Sequence, residues 1–174
     1  AALLADAVLS GDQLTSQQRQ RLVSQMAFVS YAINSPDFWS TVRGYAGFPN
    51  MTTSVYGYRA TLACLLPTHP LAPVWIKDTL DQLKDQLDNW SDDNGGWLEA
   101  PHYAMVAYDQ ILGTFVMAHN AGLNDTLFTD PKIKLIANWF SKISTPPDSR
   151  FGGFRHLPPI GNTYMIEPTG DFGL

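Results

Sequence analysis

An indole, a carboxylate, an imidazole and a phenol stand within seven positions of one another, as Trp97, Glu99, His102 and Tyr103. An imidazole or a phenol can move a proton, a carboxylate can accept hydrogen bonds from hydroxyls, and an indole can stack on a sugar face. The surrounding residues say how these groups are held. Asp92-Asp93-Asn94-Gly95-Gly96 is dense in residues that tolerate positive φ and predicts a polar turn. Pro101 then suits the first position of a helix, where its missing N–H costs nothing. On a helix beginning there, Tyr103 and Ala107 share a face and Glu99 lies at the mouth of the first turn. A plainer reading of the same residues makes Trp97 and Tyr103 core, Glu99 a complement to the helix dipole and His102 a solvated side chain.

The elements around this stretch read as helices. Ala2 to Leu9 is a short apolar segment stopped by Ser10-Gly11-Asp12. Thr15 and Gln18 form a capping-box pattern, and Leu22, Met26, Val29 and Ile33 follow at helical spacing. Asp37 to Pro49 has no period and reads as a structured loop. Asn50-Met51-Thr52-Thr53-Ser54 is a cluster of capping residues that predicts an interior helix from Val55 to Leu66, apolar almost all round. Beyond the connector Pro67-Thr68-His69-Pro70, a helix from Ala72 to Trp90 carries the stripe Ile76, Leu80, Leu83, Leu87 and Trp90. Its other face holds Lys77, Asp81, Lys84, Asp85 and Asp88, an alternation of charge that suits solvent. The helix from Pro101 should close at Gly122, and Asp130-Pro131 should open another with Ile133, Ile136, Phe140 and Ile143 inward. After Arg150 the chain turns rich in glycine and proline, with one short strand expected at Thr163-Tyr164-Met165-Ile166.

Composition bounds the function. With 174 residues, 45% of them hydrophobic and 12% aromatic, the chain can bury a core. A formal charge of −5 and no basic stripe argue against a nucleic-acid partner. Cys64 is the one cysteine, so neither an internal disulfide nor a cysteine-held metal is expected. No run approaches the roughly 18 apolar residues of a membrane span. The start, Ala1-Ala2-Leu3-Leu4-Ala5-Asp6, has neither a methionine nor a basic stretch, which does not fit an intact signal peptide. A piece of a longer protein is expected. The plan is helix pairs, each about forty to fifty residues, without a sequence repeat. Antiparallel pairs of this kind suit an α/α solenoid or toroid better than a four-helix bundle.

Gly95-Gly96-Trp97-Leu98-Glu99-Ala100-Pro101-His102-Tyr103, continuing to Tyr108, resembles the Gly-x-Trp-x-Glu-Gly-x-x-Tyr-x-x-Tyr stretch of the heparinase II/III-like polysaccharide lyases. Asn50 stands where that family places an Asn-His pair, and Leu157-Pro158-Pro159-Ile160-Gly161 resembles its passage from helices to sheets. The resemblance spans residues 45 to 174. It implies an all-α fold of antiparallel helix pairs forming part of an α/α toroid over 1–149. Residues 150–174 become a turn-rich linker towards a β-sandwich that is not in this chain.

The activity implied is β-elimination on a glycan containing uronic acid, with Tyr103 as the catalytic tyrosine and Asn50 as the amide that holds the substrate carboxylate. Trp97, Glu99, His102 and Arg59 become candidate substrate-binding residues. Of these, His102 and Arg59 are helpers by chemistry alone. No cofactor or metal is implied. The implied partners are an acidic polysaccharide and the β-sandwich region, and the implied location is secreted or periplasmic. Two departures stand out: Ala100 replaces the usual glycine, and Met51 replaces the histidine, whose proton chemistry a thioether cannot supply.

Other readings compete. Asn50 on its own reads as an N-cap. His69, His119 and His156 show no metal-ligand spacing. Arg150 and Arg155 flank a glycine turn that could meet an anionic chain or simply face solvent. A non-catalytic carbohydrate-binding or interaction domain on the same scaffold is one rival function. A glycoside hydrolase using Glu99 and an aspartate at a defined separation is another.

Overall fold

Helical periodicity governs the regular elements. The structure, a computed structural model of the chain, describes residues 2–39 and 49–161. It contains α1 (Ala2–Ser10), α2 (Ser16–Ile33), α3 (Pro49–Leu65), α4 (Ala72–Asn89), α5 (Pro101–Asn120) and α6 (Pro131–Ile143), with 3-10 turns at Leu127–Thr129 and Ser149–Phe151. The fold is all-α. Among the described residues there is no strand, only isolated antiparallel bridges between Ser91 and Trp97 and between Asp148 and Phe154. The strand expected at Thr163–Ile166 lies outside the described residues. No helix among them is long and apolar enough to cross a membrane.

The chain forms two compact units, Ala1–Leu83 and Lys84–Leu174. In the first, α1, α2 and α3 pack on one another. The capping box at α2 is complete: Thr15 Oγ1 accepts the Gln18 N–H, and Gln18 Oε1 accepts the Thr15 N–H at 2.9 Å. Arg19 reaches back to Leu9 O and Gly11 O at 2.5 and 2.8 Å, which satisfies carbonyls at and just past the end of α1.

The α2 stripe differs from expectation. Met26 is buried, but Val29 is exposed and Ser30 takes the interior position, its hydroxyl bonded to Met26 O at 2.9 Å. A small residue with its polar group satisfied locally fits a close helix contact where a branched side chain does not. Helix α3 begins six residues before the expected Val55, at Pro49. Its polar residues serve the helix from within: Thr53 and Ser54 hydroxyls bond back to Pro49 O and Asn50 O at 3.0 and 2.9 Å. Asn50 is therefore inside the first turn and is not the cap. As expected, α3 is buried almost all round, from Thr52 to Ala63, with Met51 and Tyr58 exposed.

At the corner before α4, His69 Nδ1 accepts the Leu71 N–H at 3.2 Å, which leaves Nε2 to face the Tyr31 hydroxyl at 3.3 Å. The His69 ring stacks on Trp75 at 4.7 Å. Along α4, Ile76, Leu80, Leu83 and Leu87 are buried as the stripe predicts. The opposite face closes on itself through Lys77–Asp81 and Lys84–Asp88 pairs.

In the second unit, α5 packs on α6 and on the turn at Leu127–Thr129. Ala104, Ala107, Tyr108, Ile111, Phe115 and Ala118 form its buried stripe. It closes at Gly122, φ +67°, with Leu123 N–H on Ala118 O at 2.9 Å. Asp130 caps α6 through the Lys132 N–H at 2.9 Å, and Ile133, Ile136 and Phe140 point inward. Lys132 Nζ donates to Asp88 O and Ser91 O at 3.1 and 3.2 Å, tying the start of α6 to the last turn of α4.

Candidate functional site

The candidate residues of the second unit are placed by a seven-residue hairpin. After α4 ends, Leu98 N–H returns to Trp90 O at 2.9 Å, and Ser91 pairs with Trp97. Asp92 braces the turn: its Oδ1 accepts the N–H groups of Asn94 and Gly96 at 2.7 and 2.8 Å. Gly95 supplies the positive φ, +85°, and a Cβ there would fall 2.2 Å from Leu135 O. The tip of the hairpin therefore lies against the α6 backbone at a distance only glycine allows. The polar turn was legible in the sequence. The Asp92 brace emerges from the structure, and an aspartate ahead of glycines is its usual sequence signal.

The hairpin delivers Trp97 to the interior. Its side chain is 8% exposed and meets Trp90 edge to face, with ring centroids 6.1 Å apart. The Trp97 indole N–H donates to Glu99 Oε2 at 3.4 Å. Ala100 precedes the helix without a side-chain cap, and Pro101 takes the first helical position as expected. His102 and Tyr103 follow in the first turn, both half-buried, with ring centroids 5.6 Å apart and near perpendicular. Neither ring makes a hydrogen bond to the described residues. On the same helix, Tyr108 is a core tyrosine. Its hydroxyl donates to Ile133 O at 3.2 Å, its ring meets Phe140 at 5.7 Å, and burial pushes its pKa up. The passage Leu157–Gly161 returns to this end of α5, where a Cβ on Gly161 would come within 3.1 Å of the Ala100 methyl.

Asn50 and Arg59 belong to the first unit. Asn50 is half-buried in the first turn of α3, and its side-chain amide makes no hydrogen bond to the described residues. Met51 beside it is exposed. Arg59 is 6% exposed and bonds Asp78 at 2.5 Å. Its guanidinium lies 4.9 Å from the Tyr56 ring centroid and 5.3 Å from that of Trp39, rings that stack on each other at 4.4 Å. Burial raises the Tyr56 pKa, against the opposing pull of the Arg59 charge. Arg59 thus joins α3 to α4 through the Asp78 ion pair and lies against the Tyr56 and Trp39 rings.

The structure pairs Trp97 with Glu99 just before α5 and His102 with Tyr103 in its first turn. Among the described residues no group of three or more His, Cys, Asp or Glu could hold a metal ion. Comparison with protein-family models, with curated proteins and with solved structures finds no match for this chain.

Proposed function

We propose that the chain is the helical part of a polysaccharide lyase, its helix pairs contributing to an α/α toroid, that cleaves a glycan containing uronic acid by β-elimination. The observation that carries the reading is Tyr103. A core tyrosine is expected to satisfy its hydroxyl, as Tyr108 does. Tyr103 instead leaves its hydroxyl unbonded among the described residues, half-buried beside the His102 imidazole at a helix start. As a phenolate, Tyr103 takes the proton from the carbon next to the uronate carboxylate. The electron pair of that C–H bond becomes the new carbon–carbon double bond, and the bond to the glycosidic oxygen breaks. The phenol then returns its proton to the leaving oxygen. In the family that the chain resembles, an amide N–H on the substrate carboxylate tempers the charge of the carbanion, and Asn50 is the candidate for it by sequence alone. A β-sandwich partner region and a secreted or periplasmic location go with this reading.

Tyr103→Phe tests it. The product of elimination has a double bond conjugated to a carboxylate and absorbs in the near ultraviolet. Turnover of uronate polymers is followed by that absorbance, in this chain and in a form carrying the sheet region. Tyr103→Phe should lower turnover at least about 100-fold, the range for a lost proton-transfer group, with the melting temperature unchanged. Unchanged activity per folded molecule rejects the assignment. Met51 favours a second reading, a non-catalytic sugar-binding domain, because the histidine of the Asn-His pair is missing. Oligouronate binding without absorbance in either form selects that reading.

A further inference from the structure

Three stretches of the chain carry the Asn-x-Ser/Thr pattern, in which an asparagine amide can accept a glycan: Asn50-Met51-Thr52, Asn89-Trp90-Ser91 and Asn124-Asp125-Thr126. The transfer joins Nδ2 to the anomeric carbon of an oligosaccharide carried on a polyprenyl diphosphate. The carbon–oxygen bond to the diphosphate breaks, the diphosphate leaves with the bonding pair, and the amide proton passes to a base of the transferase. Because the pattern requires a hydroxyl two residues on, a transferase must reach that group as well as the amide.

The fold separates the three. Asn50 and Thr52 lie in the first turn of α3, and Thr52 is buried. Asn89 Nδ2 is held by Asp85 Oδ1 at 2.8 Å. Ser91 is buried, its hydroxyl donating to Leu87 O at 2.6 Å and accepting from Lys132 Nζ at 3.2 Å. Asn124 stands in the exposed turn between α5 and the 3-10 turn Leu127–Thr129. Its Oδ1 accepts the Thr126 and Leu127 N–H groups at 3.0 and 2.9 Å and the Thr126 hydroxyl at 3.2 Å. Backbone N–H groups only donate, so they fix which end of the amide is oxygen. The amide is planar, so with Oδ1 held in the turn, Nδ2 lies on its far side. It makes no hydrogen bond to the described residues. Asp125 and Thr126 are exposed.

We infer that Asn124 is an acceptor site for an N-linked glycan in the folded chain, and that folding withdraws Asn50 and Asn89. The inference does not rest on the lyase reading. Helix α5 has 20 residues, about 30 Å at the usual rise, so the turn at its end stands well away from His102 and Tyr103 at its start. A glycan on Asn124 leaves that start open. It also places a hydrated chain beside Leu123 and Phe128, apolar residues that are exposed on either side of the acceptor.

Transfer in vitro tests the inference. The folded 174-residue chain is incubated with a purified single-subunit oligosaccharyltransferase and a polyprenyl-diphosphate oligosaccharide, beside peptides holding each of the three patterns. Modified sites are located by enzymatic release in heavy-oxygen water, which leaves a labelled aspartate. Asn124 in the folded chain should accept the glycan within about threefold of its peptide's rate, as an exposed turn opens at little cost. Asn50 and Asn89 should fall at least about 30-fold below their peptides, because a helix turn or the contacts of Ser91 must open first. Thr126→Ser should retain transfer at Asn124 and Thr126→Val should abolish it, in chains that melting shows to be folded. A folded chain left unmodified at Asn124, equal transfer at the three sites, or transfer that survives Thr126→Val overturns the assignment.

Discussion

Tyr103 and Tyr108 are the same residue type on the same helix, five positions apart, and they do different work. Tyr108 falls on the stripe with Ala104 and Ile111, so its ring joins the core and its hydroxyl finds Ile133 O. Tyr103 sits at the first turn, where the helix surface is not yet covered. Surface chemistry of this kind also decides Asp148. Its side chain accepts from the Arg150 guanidinium at 2.7 to 3.1 Å and from the Arg150 N–H at 2.9 Å. Arg150 holds the carboxyl down from its usual 3.8 to about 2, first through its side-chain hydrogen bonds and then through its backbone N–H, with lesser help from the charges of Arg150 and His156. A folded pKa below the unfolded one stabilises the fold above pH 3.8, and that contribution is lost as pH falls through about 2. Arg150→Gln should move the Asp148 midpoint up towards 3.8, read from its carboxyl carbon shift in an NMR titration. A midpoint that stays near 2 assigns the shift to other groups. The sequence suggested Arg150 as an anion binder or a solvated residue. It did not show that the anion is two positions away, because such a pairing depends on the 3-10 turn Ser149–Phe151, which Asp148 caps through the Arg150 N–H.

Elements were legible where a single local device defines them. The Thr15–Gln18 capping box, the Gly122 stop and the Asp130 cap satisfy backbone groups by short-range contacts, the Pro101 start removes a donor that would have no partner, and all four form as read. The start of α3 was misplaced because Thr and Ser have two uses, capping a helix or bonding back one turn within it, and sequence does not choose between them. Sequence offered Trp97 both as core and as a sugar platform, and did not choose between them for a different reason. Its direction is set by the hairpin, and the hairpin is set by a contact 40 residues away, between Gly95 and Leu135. Gly95→Ala places a methyl on a helix carbonyl at an unfavourable φ, so it should destabilise the protein by about 3 kcal/mol. Gly122→Ala shares the positive φ but meets open space, and should cost about 1 kcal/mol. Melting temperatures of the two variants separate the steric part from the conformational part. Equal losses would mean that the hairpin lifts off α6 without penalty.

For the molecule as a whole, the number and order of the helices could be read from period and punctuation, but the division into units could not. It falls between Leu83 and Lys84, inside α4, so Ala72–Leu83 belongs to one unit and Lys84–Asn89 to the other. Boundaries usually show as proline, glycine or polar linkers. Here the same amphipathic pattern continues across, with Leu83 and Leu87 both fully buried. A boundary inside a helix raises the question of whether the units open separately. Native-state hydrogen exchange in Gly95→Ala answers it, because the strain is confined to contacts between Gly95 and α6. If each unit is its own cooperative structure, amides of α5 and α6 should exchange about 100-fold faster, as a loss of about 3 kcal/mol requires. Amides of α2 and α3, whose packing lies within the first unit, should keep their rates. Those in the second half of α4 should follow α5 and α6, since Lys132 ties that turn to the start of α6. A uniform rise across all helices would show instead that α4 transmits the loss and that the chain opens as one.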